Sequence, residues 1–195
     1  MYSDMIEYGS RQKRRVHMAE LKVAKFKHCP ECGNKYPIDT RGLTEVHCLE
    51  CEHVLFFNRQ SVTALLIPDR FRTGLWLARR GENVRVKPGL FCLPAGFSMR
   101  GETLRVTGSR ETKEEVQIEI SDPEKSIRIV DAHTSTERTN DLIFGLVDPE
   151  KVSVGDFVPS FEISERKFVN KWEKLPPMAF DLHELMIRRF FMSEY

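Results

Sequence analysis

Long apolar runs and a dominant charge are both missing from this sequence of 195 residues. No stretch approaches the roughly 18 consecutive apolar residues that a transmembrane helix needs, and residues 1–15 lack the apolar core of a signal peptide. Thirty basic residues face 29 acidic ones, so the net charge does not favour nucleic acid or an acidic membrane as the main partner. Repeats and low-complexity segments are absent too. We therefore expect a globular, cytoplasmic protein, and its 41% apolar content is enough for a core.

Cysteine is scarce, but four of the five cysteines stand in two Cys-x-x-Cys pairs. The pairs are Cys29/Cys32 and Cys48/Cys51, with fifteen residues between them. In a reducing compartment this pattern indicates metal ligation rather than disulfides. Four thiolates complete a tetrahedral zinc shell without an open position, so the predicted zinc is structural. Cys92 is left over in an apolar phrase and is predicted to be a buried small hydrophobe.

The pattern of the sequence divides the chain into three parts. Residues 1–25 form an N-terminal extension, residues 26–57 contain the four paired cysteines, and residues 58–195 form a larger domain. The extension carries a basic cluster, which we interpret as a solvated terminus or as a localisation or RNA-contacting segment. The cluster consists of Arg11, Lys13, Arg14 and Arg15.

The larger domain alternates short β-rich runs with turns. Residues 61–68 and 74–80 are predicted to pair as a hairpin, and residues 126–130 and 141–147 as two further strands. A last helix is predicted from Asp181 as N-cap. Its apolar stripe, predicted to be core, contains Leu182, Leu185, Met186 and Phe190.

Three glutamates of one acidic stretch fall at helical spacing. Glu111, Glu114 and Glu115 stand at i, i+3 and i+4, which places three carboxylates along one helix face. Like charges repel there by roughly a few tenths of a kcal/mol per pair, and a divalent cation would reverse the sign. The alternative is a solvated, salt-bridged helix face, because runs of charge usually lie on the surface.

The spacing around these glutamates resembles the Nudix box, G-x5-E-x7-R-E-U-x-E-E-x-G-U, where U is aliphatic. Gly96, Glu102 and residues 110–118 match seven of its nine specified positions without a gap. Thr112 replaces an aliphatic residue, and Gln117 replaces the last glycine. Because Gln takes a left-handed helix end less readily than Gly, we expect the helix to run on or to exit differently.

The resemblance implies a fold and a set of site residues. The fold is an α/β/α sandwich with a mixed sheet, preceded here by a zinc ribbon. The implied centre binds Mg2+ or Mn2+ through the three glutamates, with a main-chain carbonyl near Gly96 as a further ligand. Arg110 would orient the cluster by pairing with Glu102 or with one of the glutamates. Oxygen ligands of this kind suit a hard cation that also contacts substrate phosphate.

Further candidates lie outside the box. Glu165, in the late segment FEISERKFV, is predicted to act as general base or extra metal ligand, and a salt bridge with Arg166 or Lys167 is the alternative. Arg79 and Arg80 follow an apolar strand and are candidate donors to substrate phosphates.

A four-cysteine ribbon directly before such a domain is similar to zinc-ribbon Nudix proteins associated with ADP-ribose or FAD hydrolysis. The resemblance therefore implies cleavage of a diphosphate in ADP-ribose, FAD or NAD(H), releasing a nucleoside monophosphate, and a homodimer. Two alternatives remain open: decapping of a nucleotide-capped RNA, and a regulatory protein that senses a nucleotide without hydrolysing it. The intact set of glutamates argues against the last.

Overall fold

The computed structural model of the chain describes residues 26–39, 43, 45–135 and 140–195. The N-terminal extension and its basic cluster lie outside the described residues. The chain separates into two compact units between Phe57 and Asn58, and each is described by itself.

The first unit contains one small antiparallel hairpin and two similar turns. Strands β1 (Glu45–His47) and β2 (Val54–Phe56) pair antiparallel. In the first turn the backbone N–H of Cys29 donates to Asn34 O (2.8 Å), and in the second that of Cys48 donates to His53 O (2.8 Å). Both turns place a left-handed residue after the second cysteine, Gly33 in one and Glu52 in the other. The two Cys-x-x-Cys segments therefore adopt the same local geometry.

The second unit contains nine strands and three helices among its described residues. In chain order they are β3 (Gln60–Leu66), β4 (Gly74–Arg80), β5 (Phe91–Cys92), β6 (Ala95–Phe97), α1 (Leu104–Val116), β7 (Ile118–Ile120), α2 (Pro123–Ser126), β8 (Ile127–Thr134), β9 (Asn140–Val147), β10 (Val152–Val154), β11 (Ile163–Asn170) and α3 (Asp181–Phe191). A 3-10 turn spans Pro149–Lys151.

A mixed four-stranded sheet lies at the centre of this unit. Its order is β6-β3-β9-β8, with β3 and β9 parallel and the other pairs antiparallel. A three-stranded antiparallel sheet has the order β11-β4-β5, and β10 pairs with β7. The predicted hairpin of residues 61–68 and 74–80 is wrong in its pairing, because β3 and β4 belong to different sheets. Only an isolated bridge between Pro68 and Leu75 joins their facing ends.

Strand β3 is buried on both faces, which is why its sequence reads as a nearly continuous apolar run. Ala64 and Leu66 belong to one core cluster with Met186 and Ile187 of α3. Leu65 belongs to a second cluster with Val116, the last residue of α1. The predicted sandwich of helices around a mixed sheet is confirmed.

Helix α1 carries the acidic stretch and is packed closely onto β3. Thr103 is its N-cap, with the hydroxyl accepting from Val106 N at 3.2 Å. A Cβ at Gly108 would stand 2.9 Å from Leu65 Cδ2 and 3.0 Å from Thr63 Cγ2, so a larger residue here would require these β3 side chains to shift. The helix ends at Gln117, whose φ of 49° is left-handed. The expectation that the helix would run on or exit differently is wrong.

Helix α3 shows a different buried face from the predicted stripe. Its buried residues are His183, Met186, Ile187 and Phe190, whereas Leu185 is 43% exposed. Phe180 rather than Asp181 is the N-cap, and it makes no side-chain cap bond. None of the helices in the described part of the chain is long and apolar enough to cross a membrane.

Candidate active site

Arg110 holds three glutamates together at the surface of α1. Its guanidinium donates to Glu102 (2.7 and 3.1 Å), to Glu111 (2.8 Å) and to Glu114 (3.1 Å). Glu102 also accepts from Met99 N (3.0 Å) and from the Thr107 hydroxyl (2.9 Å). The bidentate contact with Arg110 is the main reason that the pKa of Glu102 falls to about 2. Glu102 therefore stays ionised and serves as a fixed anchor for Arg110.

Glu111 and Glu115 point from α1 toward the β5–β6 turn. Glu115 accepts a hydrogen bond from Ala95 N at 2.9 Å. A Cβ at Gly96 would stand 1.9–2.3 Å from the carboxylate atoms of Glu111, so only glycine permits this approach. Glu114 is largely exposed and is joined to the other glutamates through its ion pair with Arg110. The three glutamates thus divide into an inward pair and one outer member.

The inward pair lies in an environment that opposes its negative charge. Burial, together with the charges of Glu111 and Glu162, raises the pKa of Glu115 to about 8, although the hydrogen bond from Ala95 N and the charge of Arg80 act in the opposite direction. Burial also raises the pKa of Glu111, with Glu114 and Glu162 adding to the effect of burial and Arg110 opposing it. Enclosed carboxylates converging in this way fit a divalent cation, whose charge would restore their ionised form.

Glu162, rather than Glu165, is the late carboxylate whose charge acts on this pair. It immediately precedes β11, and its charge acts on both Glu111 and Glu115. Among the described residues no side chain pairs with its carboxylate. Glu165 stands opposite Arg79 in the β11–β4 ladder, after an irregularity in register at Ile163. Glu162 is therefore added to the candidate residues of the site, and the role of Glu165 stays a prediction.

Arg80 and Arg79 have different surroundings. Arg80 lies with its guanidinium carbon 5.6 Å from the ring centroid of Phe180, and its charge lowers the pKa of Glu115 against the effect of burial. Arg79 donates to Gly89 O (3.0 Å) and to Glu82 (2.9 Å). Both arginines contact the loop that follows β4, because Arg80 Nε also donates to Val86 O at 2.8 Å. Of the two, Arg80 is the one whose charge acts on Glu115.

His183 is a buried residue beside the site that the sequence pattern did not single out. Its Nδ1 accepts from Leu93 N at 3.1 Å, and its ring packs between Phe144 and Phe180. Burial, with a smaller contribution from Arg80, lowers its pKa to about 3. His183 is therefore a neutral core residue that fixes the β5–β6 turn. Cys92 is buried as predicted, and burial, followed by the charge of Glu115, raises its pKa to about 12.

The four paired cysteines converge in the first unit. The Sγ atoms of Cys29 and Cys51 are 3.7 Å apart, those of Cys32 and Cys48 are 3.6 Å apart, and all four lie within 4.8 Å of one another. A tetrahedral zinc with Zn–S bonds of about 2.3 Å needs sulfurs about 3.8 Å apart. The sulfur positions fit zinc, and none of the four is disulfide-bonded.

Comparison with known proteins gives matches over most of the chain. The model of the NUDIX domain matches residues 57–190. A curated relative, the NAD-capped RNA hydrolase NudC of Vibrio vulnificus, is 26% identical over 180 residues, which are 92% of this chain and 59% of that protein. The chain thus spans about three fifths of that relative's length.

Solved structures give the same fold. A NUDIX hydrolase from Nitrosomonas europaea has a TM-score of 0.68 at 21% identity, covering 87% of this chain and 93% of that one. An ADP-ribose pyrophosphatase from Streptococcus suis has a TM-score of 0.52 at 17% identity, covering 70% of this chain and 92% of that one. At these identities the likeness is one of fold.

Proposed function

Because the chain belongs to the NUDIX domain family, we propose that it is a divalent-metal-dependent hydrolase of a diphosphate linkage in a nucleoside diphosphate derivative. The observation that carries the proposal is the convergence of Glu111 and Glu115 on the main chain at Gly96 and Ala95, with the charge of Glu162 acting on both. On a solvated helix face, two carboxylates would not be enclosed against the main chain of a neighbouring strand, and no glycine would be needed to admit one of them.

The residues of the chain take separate roles in this proposal. Glu111 and Glu115 would hold Mg2+ or Mn2+, with Glu114 as an outer member and the main chain near Gly96 as a further ligand. When bound, such an ion supplies charge neutralisation on the phosphate oxygens and lowers the pKa of a coordinated water. Arg110 and Glu102 keep the two inward carboxylates in place.

Two further residues would act on the reactants themselves. The Glu162 carboxylate would accept a proton as water adds to phosphorus and the bridging P–O bond breaks. The oxygen of the broken bridge leaves with one phosphate, so the products are two phosphomonoesters, one of them a nucleoside monophosphate. The Arg80 guanidinium would bind phosphate oxygens as a planar donor.

ADP-ribose, FAD and NAD(H) are the proposed substrates, since the ribbon-plus-domain arrangement resembles Nudix proteins associated with ADP-ribose or FAD. The second candidate is a nucleotide-capped RNA, which is favoured by the name of the Vibrio vulnificus relative, a NAD-capped RNA hydrolase. The basic cluster of residues 11–15 would then contact RNA phosphates.

A substrate panel tests both candidates. The protein is incubated with Mg2+ or Mn2+ and ADP-ribose, FAD, NADH or a NAD-capped RNA, and release of the nucleoside monophosphate or of 5′-phosphorylated RNA is followed. We expect turnover of at least one small dinucleotide. A kcat/KM for capped RNA more than about tenfold above that for NADH would favour the second candidate. Binding without any turnover would contradict both and favour a nucleotide-sensing protein. The homodimer stays a prediction that light scattering in solution tests.

A further inference from the structure

Gln117 stands where the box pattern has glycine, and both the nitrogen and the oxygen of its side-chain amide form hydrogen bonds. The residue ends α1 with φ 49° and ψ 43°, a left-handed conformation that is unfavourable for a residue with a Cβ. Its Nε2 donates to Glu114 O at 3.1 Å. Its Oε1 accepts from Val158 N at 3.0 Å. A glycine would adopt this backbone more readily but could make neither side-chain contact.

The partner of Oε1 belongs to the segment that leads to Glu162. This segment, residues 155–162, is also joined to the end of α1 by one main-chain hydrogen bond and by the side chain of Arg166. Gly155 N donates to Gln117 O at 3.0 Å. Arg166 donates to Val116 O at 2.7 Å and to Gly155 O at 2.9 Å, while its guanidinium lies over the rings of Trp76 and Phe157. The start of the segment is thus fixed against the helix that carries Glu111 and Glu115.

The end of the segment is fixed to the residue that follows β4 and to the first residue of β11. Gly81 N donates to Glu162 O at 2.7 Å, and Ser160 N donates to Ile163 O at 2.8 Å. Between Gly155 and Ser160, the hydrogen bond from Val158 N to the Gln117 side chain ties the described segment to the end of α1. Gln117 therefore links the helix of the inward carboxylates to the segment that presents Glu162.

We propose that Gln117 is a positioning residue that sets the placement of Glu162 relative to Glu111 and Glu115. The proposal rests on the hydrolytic function proposed above for this centre. Gln117 adopts the left-handed conformation less readily than the glycine of the box, but its side chain accepts a hydrogen bond from residue 158 of the opposite segment. Its effect on the reaction is exerted through Glu162, and Gln117 itself does not contact the reacting atoms.

Three variants separate this role from a merely structural one. Gln117→Gly keeps the left-handed turn and removes both side-chain contacts. Gln117→Glu is nearly isosteric and keeps an oxygen that accepts from Val158 N. Glu162→Gln removes the carboxylate through which Gln117 would act. Each is compared with the wild type in kcat and KM with Mg2+ and the best substrate of the panel, and in amide hydrogen exchange of residues 155–162.

We expect Gln117→Gly to leave the thermal midpoint at or above that of the wild type, because glycine relieves the positive φ. Its exchange at Val158 should be about 3- to 10-fold faster, and its kcat roughly 10- to 100-fold lower with KM changed less than about threefold. Gln117→Glu should restore slow exchange and most of kcat. In the Glu162→Gln background, Gln117→Gly should change kcat by less than about twofold, because the two substitutions act through one group.

Several results would overturn the proposal. Unchanged exchange at Val158 in Gln117→Gly would show that the side chain does not hold the segment. Faster exchange with full kcat, or an undiminished effect in the Glu162→Gln background, would show that it does not act through Glu162. A wild-type protein that turns over no substrate would contradict the proposed function. The exchange data would then still decide whether Gln117 holds the segment.

Discussion

At the scale of single residues, Thr112 differs most clearly from what its surroundings favour. It is fully buried in α1, and its hydroxyl has no hydrogen-bond partner in the described structure. The box pattern has an aliphatic residue at this position. An unpaired buried hydroxyl costs about 1–3 kcal/mol, so removal of the oxygen at constant shape should be favourable.

We therefore expect Thr112→Val to raise the free energy of unfolding by about 1 kcal/mol, measured by urea denaturation. Thr107→Val is the matched control, because Thr107 is equally buried in the same helix but donates to Glu102 at 2.9 Å. That variant should be destabilised. Equal effects of the two substitutions would contradict the distinction between a paired and an unpaired hydroxyl.

Glu115 gives the protein a pH dependence of predictable sign. Burial, the largest cause, raises its pKa from 4.5 to about 8. Without a bound cation, the native state thus holds a proton between about pH 5 and pH 8 that the unfolded chain releases. Because the native state binds more protons in this window, the free energy of unfolding contributed by this group falls as the pH rises.

The measurement is the thermal midpoint of the wild type relative to Glu115→Gln in buffer without divalent cations, between about pH 5.5 and pH 8.5. The wild type should lose stability relative to the variant as the pH rises, and added Mg2+ should stabilise the wild type most at the high end, where no proton competes. A difference that does not vary with pH would contradict an enclosed, protonated Glu115.

The two late glutamates show what the residue pattern could not decide. The sequence places Glu162 and Glu165 in one short segment, and either could reach the predicted centre. Glu162 precedes β11, and the register is irregular between Ile163 and Glu165, so strict alternation does not relate the two side chains. Such a local shift depends on the pairing of β11 with β4, which periodicity does not encode.

At the scale of elements, α3 shows how a buried polar residue misleads the assignment of a helix face. The predicted stripe contained Leu185, but the buried set His183, Met186, Ile187 and Phe190 has the spacing i, i+3, i+4 and i+7. His183 belongs to this face because its Nδ1 accepts from Leu93 N. A search for apolar residues at helical spacing does not include this histidine, because the partner that allows its burial lies 90 residues away in the chain.

We expect Met186→Ala to lower the free energy of unfolding by about 2–5 kcal/mol, since Met186 is fully buried among β3, β4 and β9 residues. Leu185→Ala, one residue earlier in the same helix and 43% exposed, should change it by about 0.5 kcal/mol or less. Denaturation curves of the two variants test the assigned face. A larger loss in Leu185→Ala would support the stripe that the sequence predicted.

The strands of the larger unit were located from sequence more accurately than their partners. The runs around β3, β4 and β9 were predicted within two residues of their observed bounds, because turn residues mark their ends. The strand β8 was predicted to end at residue 130 but continues to Thr134. The pairing of β3 with β9, parallel and about 80 residues apart in sequence, is a long-range arrangement that the short connection from β3 to β4 does not indicate. The hairpin failed for this reason.

At the scale of the whole molecule, the two compact units depend on different chemistry. The second unit has two extensive apolar clusters. The first has a cluster of four buried residues, two of which are the cysteines Cys29 and Cys48. So small a core would gain most of its stability from the predicted zinc.

We expect about one zinc per chain by elemental analysis of protein purified without chelator. Cys48→Ser should lower the zinc content to well below one. Cys92→Ser is the matched control, because Cys92 is buried in the second unit, and it should leave the zinc content unchanged. Wild-type protein without zinc, or with disulfides among the four cysteines, would contradict the zinc site.

The central claim is that the inward glutamates of α1 form a metal-dependent hydrolytic centre, and one comparison tests it most directly. The initial rate of nucleoside monophosphate release from ADP-ribose is measured for the wild type and for Glu115→Gln, with Mg2+ and without it, with circular dichroism as the check of folding. We expect Mg2+-dependent turnover by the wild type and a loss of roughly 100-fold or more in the folded variant. Wild-type turnover that is independent of Mg2+, or a folded variant with normal activity, would contradict the account.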